Sequence, residues 1–263
     1  MNALLTAATA AALAMIASGA LAADIARPVY KTAPVELAPS WTGFYVGGHV
    51  GYGWSRDGSA SLSQTAVAPP DFFFFPVTTT LNSEGAIVGG QIGYNWQASN
   101  WVFGVEADIS GSFLKKSASV TTFSSIAPGS PGGTMGITQE IDWLASARGR
   151  IGFAFDRSLI YATGGFAWAS VSTNAVFNGS FPFSSAANLT SDDTRTGYVV
   201  GGGFEHLLGS NWTIRAEYLY YALDGGDSVS GPIPNPALID ATATLSTSDL
   251  NIHVARLGLN YKF

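Results

Sequence analysis

The 263-residue chain carries a formal net charge of −6 at pH 7, and only 11% of its residues are charged, against about 25% in ordinary soluble domains. The lack of cysteine excludes a disulfide framework, a thiolate metal site and a cysteine nucleophile, and the acidic balance excludes a general nucleic-acid binder. With 31 glycines, 13% aromatics and a positive mean hydropathy, the composition is that of a membrane protein.

A helical span needs about 20 consecutive apolar residues, and only the start of the chain comes close. Residues 1–22 read as a signal peptide. Ala3 to Ala17 is apolar and Ala20-Leu21-Ala22 fits the small-x-small cleavage pattern, although no Lys or Arg precedes the apolar run. Residues 23–40 follow as a periplasmic leader, in which Pro28, Pro34 and Pro39 exclude a helix or a central strand. Residues 41–263 form the remaining domain.

From Trp41 the pattern becomes period two, the mark of a strand between two environments. In WTGFYVGGHVGYGW, Phe44, Val46, Val50, Tyr52 and Trp54 share a face opposite Gly43, Gly47, His49, Gly51 and Gly53. GAIVGGQIGYNWQ sets Ala86, Val88, Ile92, Tyr94 and Trp96 against Gly89, Gln91, Gly93 and Asn95. Six further segments, at about 100–113, 140–155, 158–171, 195–207, 211–222 and 251–263, bring the expected strands to eight. Tight connections near Ala98-Ser99, Asp156-Arg157 and Gly209-Ser210 alternate with long polar ones at about 55–83, 114–139, 172–194 and 223–250. Structureless loops beyond about 12–15 residues are uncommon inside compact domains. Their alternation with tight turns predicts an all-β fold: an eight-stranded antiparallel transmembrane β-barrel with short periplasmic turns and four long extracellular loops.

The tryptophans fit aromatic girdles at the two lipid–water boundaries. Trp41, Trp96, Trp101 and Trp212 fall at the periplasmic ends of their segments, Trp54, Trp143 and Trp168 at the outer ends, and none falls mid-segment. The alternative fold is a soluble lipocalin-like barrel with its apolar face inward. The tryptophans, the signal peptide and the aromatic C-terminus argue against it.

That C-terminus alternates to its last residue: Leu257, Leu259, Tyr261 and Phe263 share one face. RLGLNYKF resembles the C-terminal signal by which the barrel-assembly machinery recognises outer-membrane barrels for insertion. The segments WTGFYVGGHVGYGW, GAIVGGQIGYNW, WVFGVEADI, WLASARGRIGFAF, LIYATGGFAWA, TGYVVGGGFEHLL, WTIRAEYLYY and HVARLGLNYKF occur in this order. Together they resemble the small alphaproteobacterial outer-membrane barrels known as outer-membrane immunogenic or porin-family surface proteins. The resemblance covers essentially all strands and none of the loops. It implies the outer membrane of a Gram-negative bacterium, with outer-membrane lipid and lipopolysaccharide as neighbours.

If the apolar face meets lipid, the opposite face lines the lumen. It carries Glu106 and Asp108 on the third segment, Arg148 and Arg150 on the fourth, Arg195 and Glu205 on the sixth, Arg215 and Glu217 on the seventh, and Arg256 on the eighth. Counting along the antiparallel segments sets Glu106 level with Arg150 and Asp108 with Arg148, and brings Glu205 near Arg215. Eight strands enclose an interior just wide enough for side chains. The charges are therefore expected to pair and fill it, since burying them unpaired is costly; the alternative is a solvated channel. In the first loop, Phe72, Phe73, Phe74 and Phe75 form an apolar patch that either contacts a host or surface ligand or folds back on the barrel rim.

No catalytic, cofactor or metal site is expected. The histidines His49, His206 and His253 lie on three different segments, neither G-x-S-x-G nor H-E-x-x-H occurs, and the glycine repeats lie inside strands with no helix after them. The sequence thus leads to a non-enzymatic barrel with a structural and surface-presenting, antigenic role. The alternatives are a narrow passive porin for small solutes and an adhesin acting through its loops.

Overall fold

The structure, a computed structural model, describes residues 40–56, 59–67, 77–123, 131–179, 185–225, 228–232 and 239–263. The expected signal peptide, the leader up to residue 39 and the Phe72–Phe75 patch lie outside the described residues. Twelve strands follow in chain order: β1 (Gly43–Ser55), β2 (Ser59–Val67), β3 (Val77–Thr80), β4 (Glu84–Ala98), β5 (Trp101–Phe123), β6 (Pro131–Phe155), β7 (Ser158–Gly179), β8 (Ser185–Leu207), β9 (Trp212–Leu223), β10 (Ser228–Pro232), β11 (Ile239–Thr247) and β12 (Leu250–Lys262).

Eight of them close an antiparallel barrel in the order β1-β12-β9-β8-β7-β6-β5-β4. β1 pairs with β12 from Tyr45↔Lys262 to Ser55↔Ile252, and the amide of Phe263 donates to the Phe44 carbonyl at 2.9 Å. The last residue therefore completes the seam that leaves no backbone edge in lipid. Two of the tight turns have two residues each, Ser99-Asn100 and Asp156-Arg157. Ser99 (φ 57°) and Asp156 (φ 51°) adopt the left-handed conformation that reverses a twisted hairpin, and their short polar side chains tolerate it.

The expectation of long loops needs correction at β5–β8. These strands run for 23, 25, 22 and 23 residues, about twice what a tilted membrane strand requires. Residues assigned to the loops 114–139 and 172–194 are largely strand, and the surplus carries the sheet about 25–30 Å beyond the membrane. The other two long connections form a second sheet, β10-β11-β2-β3, with β10 beside β8 and β3 beside β5. Between this sheet and the extended strands, Ala60, Leu81, Met135, Ile137, Ala175, Phe177, Ala243 and Leu245 make a dry core. The barrel thus continues outward as an apolar-cored cap.

Candidate functional site in the barrel lumen

The side chains with chemistry converge inside the barrel, at mid-height. Period-two alternation turns Glu106 and Asp108 of β5, Arg148 and Arg150 of β6, Glu205 of β8, Arg215 and Glu217 of β9 and Arg256 of β12 inward, and all are buried. They form one cluster of four carboxylates and four guanidiniums. Glu106 sits at its centre. It pairs with Arg148, with Arg215 at 2.5 Å, with Arg256 at 3.6 Å and with Arg150 at 3.8 Å. Glu217 is held by Arg256 at 2.6 Å and Arg148 at 3.1 Å, Asp108 by Arg256 at 2.8 Å and Arg148 at 3.2 Å, and Glu205 by Arg150 at 2.8 Å.

Neutral groups complete the shell. The Tyr45 hydroxyl donates to Glu106 at 2.6 Å and the Tyr161 hydroxyl to Glu217 at 3.0 Å, while the Arg150 guanidinium lies over the Tyr161 ring, 4.3 Å from its centroid. Thr213 and Asn260 donate to Glu205 at 2.5 and 2.9 Å, and Ser146 donates to Asp108. Glycine opens the room for the two phenols. A Cβ added at Gly93 would overlap the Tyr45 ring, and one at Gly203 would stand 2.6 Å from the Tyr161 hydroxyl. His49 bonds Gln91 at 2.5 Å and Ser110 at 2.7 Å, with Arg256 3.4 Å from its Nε2. Both ring nitrogens are engaged.

Apolar layers close the cluster on both sides. Toward the tight turns lie Trp41, Val102, Ala154, Leu159, Tyr161 and Leu207. Toward the cap lies a larger group that includes Ile87, Leu114, Leu144, Leu219, Tyr221 and Ile252. The charges thus lie between two apolar layers, where breaking a pair by deleting one partner costs about 3–5 kcal/mol. The Nε groups of Arg148, Arg150 and Arg215 and the Nη2 group of Arg215 have no hydrogen-bond partner among the described residues, so Arg215 is held through Nη1, and Arg148 and Arg150 through both terminal nitrogens.

Several expected placements differ. In register, Glu106 faces Arg148 and Asp108 faces Ser146, a shift of two residues from the count made on the sequence. β5 and β6 are joined through the long 124–130 connection rather than a tight turn, and a bulge between Gly111 and Leu114 moves the pairing again, so no fixed turn anchors the count. Glu205 does lie opposite Arg215, but its ion pair is with Arg150 and that of Arg215 is with Glu106. Arg195 is buried higher up, donating to Thr247 at 2.8 Å and to the Ser248 carbonyl at 3.2 Å, where it ties β8 to the end of β11 and the residue that follows.

Trp41 is not a girdle residue. It is 1% exposed and plugs the lumen's periplasmic end, because it shares the parity of Tyr45, Gly47 and His49. The remaining tryptophans face outward. Trp96 packs on Tyr94, Trp101 on Phe153 and Trp212 on Tyr261, near the tight turns. Trp54 stacks on His253 near the cap, and Trp143 and Trp168 lie on neighbouring strands at that level. Leu257 and Leu259 are exposed on the lipid face, and the Phe263 ring packs edge-on against Tyr261.

Tyr45, Tyr161, Gln91, Asn260 and Thr213 complete the cluster without having been singled out from the sequence. Parity alone could have found Tyr45, between Gly43 and Gly47 on the inward face, and Tyr161, between Leu159 and Thr163.

The chain was compared with known proteins. The family described as outer membrane protein beta-barrel domain matches residues 7–263. The chain is 33% identical over 260 residues to the 31 kDa outer-membrane immunogenic protein of Brucella melitensis biotype 1, covering 95% of this chain and 96% of that one. It is 30% identical over 210 residues to a 22 kDa outer membrane protein of Rhizobium leguminosarum bv. viciae, covering 76% of each. Among solved structures, the outer membrane protein OprG from Pseudomonas aeruginosa aligns with a TM-score of 0.45 at 11% identity, covering 86% of this chain and 98% of that one. With a closed eight-stranded barrel and a family match over nearly its whole length, the chain belongs to the outer membrane protein β-barrel family and resides in the Gram-negative outer membrane.

Proposed function

We propose that the protein is a non-enzymatic, structural barrel with a closed lumen, which holds an extracellular cap at the cell surface. The observation that carries this reading is the compensated charge cluster sealed between two apolar layers. A passive pore would need a continuous wet path. Here Leu219, Ile252 and Val254, each 0% exposed, lie above the charges, and Val102 and Leu159, also 0% exposed, lie below them. The immunogenic relatives support surface presentation, since the cap is the part that faces the medium.

Liposome swelling tests it. Vesicles holding the refolded protein are expected to stay as tight to arabinose and glycine as protein-free vesicles. Swelling that scales with protein content would replace this reading with a narrow porin.

A further inference from the structure

The outer surface of the cap has a chemistry of its own. On β5–β7 the lipid-facing aromatics end at Phe113, Trp143 and Trp168. Ser170 and Thr194 follow on β7 and β8, the exposed Asp142 accepts from Ser172 at 3.0 Å, and the rung beyond is Lys115–Glu140–Ser172–Asp192, with Lys115 and Glu140 ion-paired. Above that rung the outward side chains described on β5–β8 and on the second sheet are neither charged nor aromatic; the exposed Lys116, on the other parity of β5, and Arg56, in the link between β1 and β2, stand beside these rungs rather than in them. Ser117, Thr138, Asn174 and Thr190 form one rung across four strands, with Ser117 and Thr138 bonded at 3.1 Å and Asn174 donating to Thr190 at 3.2 Å. The second sheet repeats the pattern. Ser230 and Thr244 bond at 2.8 Å with Ser63 next in the rung, and Ser61 and Thr78 bond at 3.0 Å. Hydroxyl and amide groups therefore surround the cap on both of its sheets.

We propose that this collar is a contact surface for the neutral saccharide of the lipopolysaccharide in the same leaflet. Three features point to that occupant. The first is position: the collar continues, strand by strand, the face that meets acyl chains one or two rungs lower, so the neighbours beside it are the headgroups of those lipids. The second is chemistry. Hydroxyl and amide side chains both donate and accept, which matches sugar hydroxyls. A phosphate-rich partner would call for Arg or Lys forks, and a protein partner for Trp, Tyr or Arg anchors; the collar presents neither. The third is preorganisation, because side chains already bonded along a rung lose little freedom on binding.

Nuclear magnetic resonance of the refolded full chain in detergent micelles tests the proposal, reading the side-chain amides of Asn174 and Asn188 and the methyls of Thr138, Thr190 and Thr244. Two probes are titrated separately: deacylated core oligosaccharide, and lipid A without core sugars. The collar resonances are expected to shift with the oligosaccharide and not with lipid A. The triple substitution Thr138→Val, Asn174→Leu, Thr244→Val is expected to remove the response at Asn188 and Thr190. If it fails the gel shift that marks a folded barrel, Ser63→Ala with Ser230→Ala takes its place, with loss of the Thr244 shift expected. No shift with the oligosaccharide, equal shifts with lipid A alone, or an unaltered response in the folded variants would each overturn the proposal.

Discussion

In the lower half of β6, Arg148 and Arg150 point into the barrel while Ile151 and Phe153 stand on the outer surface; in its upper half, Met135 and Ile137 point inward and Thr134 and Thr138 point out. One strand therefore carries both polarities in succession, and β5 does likewise, with Glu106 and Asp108 inward below and Leu114 and Ala118 above. The outer face changes with height, apolar and aromatic below and polar above. The inner face must be filled in both halves, and the two halves fill it differently. The cap uses aliphatic side chains, which pack without partners. The membrane half places charges at mid-height, tolerable only because each carboxylate meets a guanidinium.

That contrast breaks most severely at Glu106. Glu106→Ala would leave four arginines without their shared carboxylate, and should destabilise the barrel by about 3–5 kcal/mol, read as a lower temperature for the heat-induced gel shift. An unchanged transition would mean that the cluster does not hold the lumen together. Leu219→Ala comes next. It opens a cavity in the apolar layer above the charges and should cost about 2–5 kcal/mol in urea unfolding from micelles. Gly93→Ala pushes a methyl into the Tyr45 ring and should cost about 1–3 kcal/mol in the same assay, separating close packing from charge as the source of order. At the far end of the scale, Thr244→Ala on the outer face of the cap should move stability by no more than about 0.5 kcal/mol. A large loss there would mean that the hydroxyl rungs support the cap rather than face outward for contact.

The barrel was legible wherever the two faces of a strand differ. Phe44 and Val46 against Gly47 and His49 leave one solution, and the lumen charges follow from the same parity. Legibility fails where that contrast disappears. In AEYLYYAL the inward Leu219, Tyr221 and Leu223 alternate with outward aromatics, so the apolar layer above the charges has no distinguishing pattern. The extensions of β5–β8 were hidden for the opposite reason: Ser117, Ser119 and Thr121 alternate with modest Ala118 and Val120, which resembles a polar loop. Trp41 misleads in a third way, because its place at a strand end suggests a girdle while its parity sends it inward. Ion pairs between neighbouring strands were within reach of the count, as Glu106 with Arg150 and Asp108 with Arg148 of β6, but others were not, since long side chains cross the lumen and pair with strands that are not neighbours in the sheet. Arg215 of β9 meeting Glu106 of β5 is the clearest case.

The most direct measurement of a closed lumen is single-channel recording of the refolded protein in a planar bilayer, with its folded state verified by the gel shift on heating. The proposed closed lumen predicts a silent membrane at every salt concentration. Steady, salt-dependent current steps from the folded protein would contradict it, and would mean that the arginines and carboxylates line a path for water and ions.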